Sequence, residues 1–168
     1  LDFVRAAASV ASRSPEVHFL IAGHGPSDFT ARLDREISSG TADGRVHRVP
    51  PQPDIWPLLS AVDMVGLTTL WPDPLPRVVM EAMAAGRPVV AYDGGGVGEM
   101  VLDRETGLIV RTGDVVGLAD GLIRLVVAAE LQQLCAAAGR EGAWRLFSFD
   151  LHVSKMEAIL VAADGSHG

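Results

Sequence analysis

The chain has 168 residues, 48% of them apolar and 21% charged, with a formal net charge of −7. That length suits one ordinary domain with a single good core, and the composition is that of a globular chain rather than a disordered one. The acidic balance leaves no basic footprint and argues against a nucleic-acid partner, although a few local cations and backbone amides can still hold a small anion. Cys135 is the only cysteine, so there is no disulfide framework and no cysteine-based zinc site, and a reducing, cytoplasmic setting is expected. No apolar run approaches the roughly 20 residues that span a bilayer, and there is no signal-peptide pattern.

The chain opens on Leu1, and "LDFVRAAASVASRSPE" reads as a helix already under way, so a piece of a longer chain is expected. "VHFLIAG" (Val17 to Gly23) is a short apolar run suited to a strand buried on both faces. "GHGP" then turns tightly into a polar helix from Ser27 to Ser39, and "RVHRVP" (Arg45 to Pro50) alternates as a second strand. "PDIWPLLSA" is a short helix with Pro57 tolerable in its first turn. "DMVGLT" (Asp63 to Thr68) is a third strand, followed by a helix from about Pro76 to Ala85 that Gly86 ends. "RPVVAY" and "GLIVRT" supply a fourth and a fifth strand, and a helix from about Val115 to Ala129 follows. Leu131 to Ala163 reads as helical with a break near "FSFD", and "ADGSHG" as a frayed tail.

Strands alternating with helices through short loops predict a doubly wound α/β domain, a Rossmann-like parallel sheet with right-handed crossovers. Ligands in such sheets bind at the carboxyl ends of the strands. The loops of interest are therefore Gly23–Ser27, Val49–Pro53, Thr68–Arg77 and Tyr92–Glu99.

The third of these runs into the helix "LPRVVMEAMAAG". A cation in a helix's first turn is disfavoured by a few tenths of a kcal/mol, yet Arg77 stands there. One account is an exposed Arg77–Glu81 pair, in the poorer cation-first direction and worth about 0.3 kcal/mol. The other is an anion in the helix mouth on which amides and Arg77 converge. Glu81 lies among Val78, Val79, Met80, Ala82, Met83 and Ala84, so most of the helix is apolar and implies burial. A buried carboxylate needs partners, and the neighbouring hydroxyls of a ribose are one source of them. Asp73 lies in the loop to the same helix mouth, either as a turn residue between Pro72 and Pro74 or as a second site carboxylate.

"D-P-L-P-R-V-V-M-E-A-M-A-A-G-R-P-V-V-A" resembles the E-x7-E signature of the group 1 (family 4-like) retaining glycosyltransferases, which have the GT-B fold. "LIAGHGP" is similar to the family's Gly-x-Gly-Pro strand-turn. "RVHRV" matches its next strand, and "GGGVGEMV…ETGLIV" its Gly-Gly-x-x-Glu loop and following strand. About Leu1 to Phe149 can be laid on the family's C-terminal, nucleotide-sugar-binding domain. The expected organisation is a donor-binding domain over 1–149, a C-terminal helix over 150–163 and a disordered tail over 164–168. The N-terminal acceptor domain would be absent from this chain.

The resemblance implies that Glu81 binds the ribose of a nucleotide diphosphate sugar and that Asp73 stands beside the donor sugar and the reaction centre. Leu75, Pro76 and Arg77 would form the turn that faces sugar and diphosphate, with Gly95 and Glu99 walling the cleft and Gly23 and Gly25 lining it. Asp73 replaces the usual Glu, and Pro76 stands where glycine is common and has no N–H to donate. The Arg and Lys that clamp the diphosphate in this family lie upstream of the first helix and are missing; Lys155, the only lysine, is in the C-terminal helix. The expected partners are the nucleotide-sugar donor and the chain's own N-terminal domain, which leaves room for peripheral membrane association through that half, at the inner face. The expected reaction is metal-independent sugar transfer without a cofactor, with little or none by this piece alone.

His18, His24, His47, His152 and His167 are scattered, with no metal-ligand spacing, and no Asp-x-Asp pair occupies an apt loop. Trp56 reads as core or helix-staple packing, Trp71 as a site-loop residue that could flank the sugar, Ser27 as an N-cap and Cys135 as a small apolar filler. Two rivals stay open: a nucleotide-sugar epimerase of the same fold, with only His24 available as a site histidine, and a non-catalytic nucleotide-binding module.

Overall fold

A computed structural model describes residues 1–40, 42 and 44–164. The elements run α1 (Asp2–Arg13), β1 (Phe19–Ala22), α2 (Ser27–Ser39), β2 (Val46–Val49), α3 (Trp56–Ala61), β3 (Val65–Leu67), α4 (Arg77–Ala84), β4 (Val89–Asp93), α5 (Val97–Met100), β5 (Gly107–Arg111), α6 (Val115–Val127), α7 (Ala129–Phe147) and α8 (Phe149–Asp164). Every strand pair is parallel, as the alternation of strands and helices predicts. The Leu131–Ala163 helix does break, at Ser148, whose extended backbone (ψ 140°) ends α7. The short helix α5 was not among the expected elements. The expected tail falls, from 165 onward, outside the described residues.

The pairing has one feature that the alternation did not anticipate. Among the described residues the strands form two ladders, β1–β2 and β3–β4–β5, with no pairing between β1 and β3. Both nevertheless belong to one body, because a single apolar cluster joins Ala7 and Val10 of α1 and Leu118 and Leu122 of α6 to strand residues of both ladders: Phe19, Val46, Val90, Tyr92 and Leu108.

Strand β4 shows how the two faces are built. Val90 and Tyr92 turn toward α1 and α6, while Val89 and Ala91 turn toward a second cluster with Val79, Ala82 and Met83 of α4 and Ala143 of α7. Residues two apart share a face, and a parallel strand covered on both sides is apolar throughout. Four of the five residues of β4 are buried.

Helix α4 ends as its sequence requires. Gly86 takes φ +65°, the Gly86 amide donates to the Met83 carbonyl and the Arg87 amide to the Ala82 carbonyl, a Schellman closure. Arg140 of α7 adds a side-chain hydrogen bond to the Ala85 carbonyl at 3.1 Å. At the other end of the chain, α8 has no buried residue, and Phe149, Met156, Ile159, Leu160 and Val161 are exposed along it.

Candidate active site

The site is made by two loops at the carboxyl ends of β3 and β4. The first carries Asp73 to Pro76 and opens α4; the second, Gly94 to Gly96, opens α5. The Gly96 amide donates to the Asp73 carbonyl at 2.9 Å. A Cβ on Gly95, which has φ +57°, would lie 2.0 Å from that same oxygen, and one on Gly96 would lie 2.0 Å from the Pro74 oxygen. The loops therefore press backbone on backbone, an approach only glycine permits. Thr112 extends the brace by donating its hydroxyl to the Asp93 carbonyl.

The mouth of α4 has no side-chain cap. Its N-cap is the buried Pro76, with φ −64° and ψ 108°, whose carbonyl accepts from the Val79 amide. Asp73 is exposed, and its Oδ1 accepts from the Leu75 amide at 3.0 Å. Asp73 thus shapes the turn, as one of the two sequence readings expects, and it does so beside the helix mouth. With Pro76 lacking an N–H and the Leu75 amide engaged, the first-turn amides of α4 itself, on Arg77 and Val78, are the ones this turn presents to an anion.

Arg77 and Glu81 form the pair that the i,i+4 spacing predicts: Nη2 donates to Oε1 at 3.0 Å, with the arginine side chain 83% exposed and the glutamate 26%. An exposed partner on a flexible stem makes this a weak tie. The pair does not occupy the whole carboxylate. Glu81 also lines a hollow of about 310 Å³ with Trp56, Met80, Ala84, Ala143, Trp144, Phe147 and Ser148. The Glu81 side chain is therefore half-buried, tied to Arg77 and at the border of this hollow.

Of the residues singled out from the sequence as ligand-binding or catalytic, Glu81 alone lines that hollow. Asp73, Leu75, Arg77 and Gly95 gather at the α4 mouth, and Glu99 is exposed on α5. Gly23 and Gly25 follow β1 in the other ladder; Gly23 has φ +128° and donates its amide to the Val49 carbonyl at 3.1 Å. Trp56 is no core residue: it is half exposed and forms a wall of the hollow. Trp71 stands 83% exposed in the site loop. Trp144 and Phe147 were missed in the sequence. Their spacing of three near the end of α7 puts them on one helix face, but nothing local says that the face meets Glu81. Among the described residues no group of three metal-ligating side chains comes together.

Known proteins share this architecture. The family model described as "Glycosyl transferases group 1" matches residues 1–127. N-acetyl-alpha-D-glucosaminyl L-malate synthase of Bacillus anthracis is 29% identical over 166 residues, which cover 94% of this chain and 40% of that protein. The structure of Anabaena Alr3699/HepE in complex with UDP-glucose superposes with a TM-score of 0.85 at 25% identity, over 94% of this chain and 44% of that one. The C-terminal domain of the Francisella tularensis glycosyl transferase LpcC matches with a TM-score of 0.78 at 23% identity, over 88% of this chain and 78% of that one. The chain thus spans about 40% of the length of the curated relative it matches and one half of the GT-B fold.

Proposed function

The chain belongs to the group 1 glycosyl transferases, and from that premise we propose that it is the donor-binding part of a retaining enzyme moving a sugar from a nucleoside diphosphate to an acceptor hydroxyl. The observation that carries this reading is the half-buried Glu81 carboxylate beside a hollow, one turn inside a helix whose mouth is uncapped. A carboxylate so placed accepts from two adjacent ribose hydroxyls at once. The Arg77 and Val78 amides lie one turn away, and the Arg77 guanidinium lies between them and Glu81, 3.0 Å from its Oε1, where negative charge on a diphosphate is stabilised.

In this reading Arg77 changes partner. Its tie to Glu81 is worth only about 0.3 kcal/mol, so a diphosphate can take the guanidinium while the ribose takes the carboxylate. As the glycosidic bond breaks, charge grows on the leaving phosphate, and fixed dipoles with Arg77 oppose that charge without reorganising and without a metal. Asp73, exposed beside the mouth, is the group assigned to the donor sugar and the reaction centre, with Gly95 and Glu99 as the opposing wall. The acceptor site, and with it turnover, belongs to the remainder of the longer protein.

The test is donor binding by the full-length protein, with UDP-glucose, GDP-mannose and ADP-glucose as probes and calorimetry as the readout. Glu81→Gln keeps the shape and removes the charge. Charge-assisted hydrogen bonds are worth about 1.5–3 kcal/mol, so affinity for the preferred donor should fall roughly 10- to 100-fold. Unchanged affinity in that variant would remove Glu81 from the ribose and overturn the reading.

A further inference from the structure

We propose that His18 and His47 form a two-imidazole chelate for a late first-row divalent cation, Cu(II) or Ni(II), on the open face of the β1–β2 ladder. The two residues are 29 positions apart, so the sequence shows no ligand spacing, but the fold brings His18 Nδ1 to 2.9 Å from His47 Nε2. Both side chains are exposed, and their ring planes lie within 23° of each other with centroids 5.2 Å apart. The pair stands at the amino end of β1, whereas the candidate active site is at the carboxyl ends of β3 and β4. The cation site is therefore independent of the proposed function.

The ladder fixes this meeting. The Phe19 amide donates to the Arg45 carbonyl at 2.8 Å, and β1 then runs parallel to β2 with Leu20 opposite His47. Successive side chains of a strand alternate between its faces. Phe19 and Val46 enter the core cluster with α1, so His18, one position before the first, and His47, one after the second, share the other face. The neighbouring cations are committed elsewhere: Arg45 donates to the Ala11 and Pro15 carbonyls, and Arg48 to Asp34.

Ligand type and spacing choose the ion. Imidazole suits borderline cations, whereas magnesium and calcium take oxygen ligands. With metal–imidazole bonds of about 2.0–2.1 Å, two nitrogens at a right angle stand roughly 2.8–3.0 Å apart, and two at the tetrahedral angle roughly 3.3–3.4 Å. The observed 2.9 Å is thus an edge of a square-planar or octahedral sphere, which favours Cu(II) and Ni(II) over Zn(II). In the metal-free pair one N–H···N hydrogen bond joins the rings. As the cation enters, that proton passes through solvent to the outer nitrogen of the ring that carried it, so both rings stay neutral and both inner lone pairs are freed. Each ring then turns about its Cβ–Cγ bond to aim its lone pair at the ion, a soft torsion in an exposed side chain. Water completes the coordination.

The test is calorimetric titration of the tag-free full-length protein with the chlorides of Cu(II), Ni(II), Zn(II) and Mg(II) in a non-coordinating buffer at neutral pH. One Ni(II) site should vanish or weaken at least tenfold in His18→Ala and equally in His47→Ala, since even groups that only support a ligand are worth about 10–100-fold in metal affinity. At that site Ni(II) should bind more tightly than Zn(II), and Mg(II) should not compete. Circular dichroism like the parent's shows that the variants fold. A second reading needs no variant: the electron paramagnetic resonance spectrum of the parent with one equivalent of Cu(II) should show two equatorial imidazole nitrogens. Absence of Ni(II) binding, equal Ni(II) affinity in either variant, a preference for Zn(II), or a Cu(II) spectrum with fewer than two such nitrogens overturns the proposal and leaves the pair a hydrogen bond alone.

Discussion

The Gly96 amide donates to the Asp73 carbonyl at 2.9 Å, so the residue assigned to the reaction centre is positioned by a loop that follows a different strand. Gly95 makes that approach possible. A comparison with Gly113 separates backbone conformation from close approach, because Gly113 also has positive φ, +80°, but nothing within 4 Å of an added Cβ. Gly113→Ala should cost about 1 kcal/mol through φ alone. Gly95→Ala should cost about 1–3 kcal/mol more, since the Asp73 loop must move. Urea denaturation of the two variants checks this; equal midpoints would show that the loops are not pressed together.

Arg77→Ala tests the change of partner. With its side chain 83% exposed and, among the described residues, tied only to Glu81, the loss of Arg77 should leave stability within about 0.5 kcal/mol of the parent. Donor affinity in the full-length protein should nevertheless fall about tenfold, from the loss of one charge-assisted contact. A stability loss larger than the binding loss would make the pair structural instead.

Tyr92 predicts an alkaline limit to stability. It is 1% exposed and donates to Asp2, and burial first, then the Asp2 charge, pushes its hydroxyl up to about 12 from the ordinary 10. A folded-state value above the unfolded one contributes stability that is complete below pH 10 and lost as the pH rises through 12. The full loss amounts to about 2–3 kcal/mol. Tyr92→Phe has no such proton to lose. It should be about 1 kcal/mol less stable at pH 8 and equal or more stable near pH 12. Denaturation curves that stay parallel from pH 8 to 12 would refute this.

Cys135 offers a chemical probe of the α7 packing. Its side chain is fully buried, and burial, then the Asp103 charge, raises the thiol above its usual range. An aromatic disulfide reagent should label it roughly 100-fold or more slowly than a free thiol under native conditions, and promptly in denaturant. Native labelling at the free-thiol rate would show that α7 is not docked.

The elements were legible in the sequence because their signals are local. Val89 to Tyr92 is an apolar run bounded by Pro88 and the glycines, and Gly86 marks the end of α4 by its backbone freedom. The Arg77–Glu81 spacing gave the pair but could not decide between pairing and anion binding, since the same geometry serves both. What lay outside reach was long-range. "GGG" announces a turn, yet not that Asp73 and Pro74 lie against it, and Trp144 sits 63 positions after Glu81, on a helix with no local reference to it. The split of the strands into two ladders was equally hidden, because strand order depends on neighbours that periodicity does not encode.

The family model stops at residue 127, but α4 depends on the helix beyond that point. Gly139 and Gly142 let α7 lie directly on Met83, Ala143 joins the same cluster, and Arg140 holds the last turn of α4 by the Ala85 carbonyl. The hereditary unit and the mechanical unit therefore have different ends. A chain cut after Val127 would keep every signature residue while losing the backrest against which the Glu81 helix leans, and it should be isolated as a loose, protease-sensitive species rather than a smaller binder.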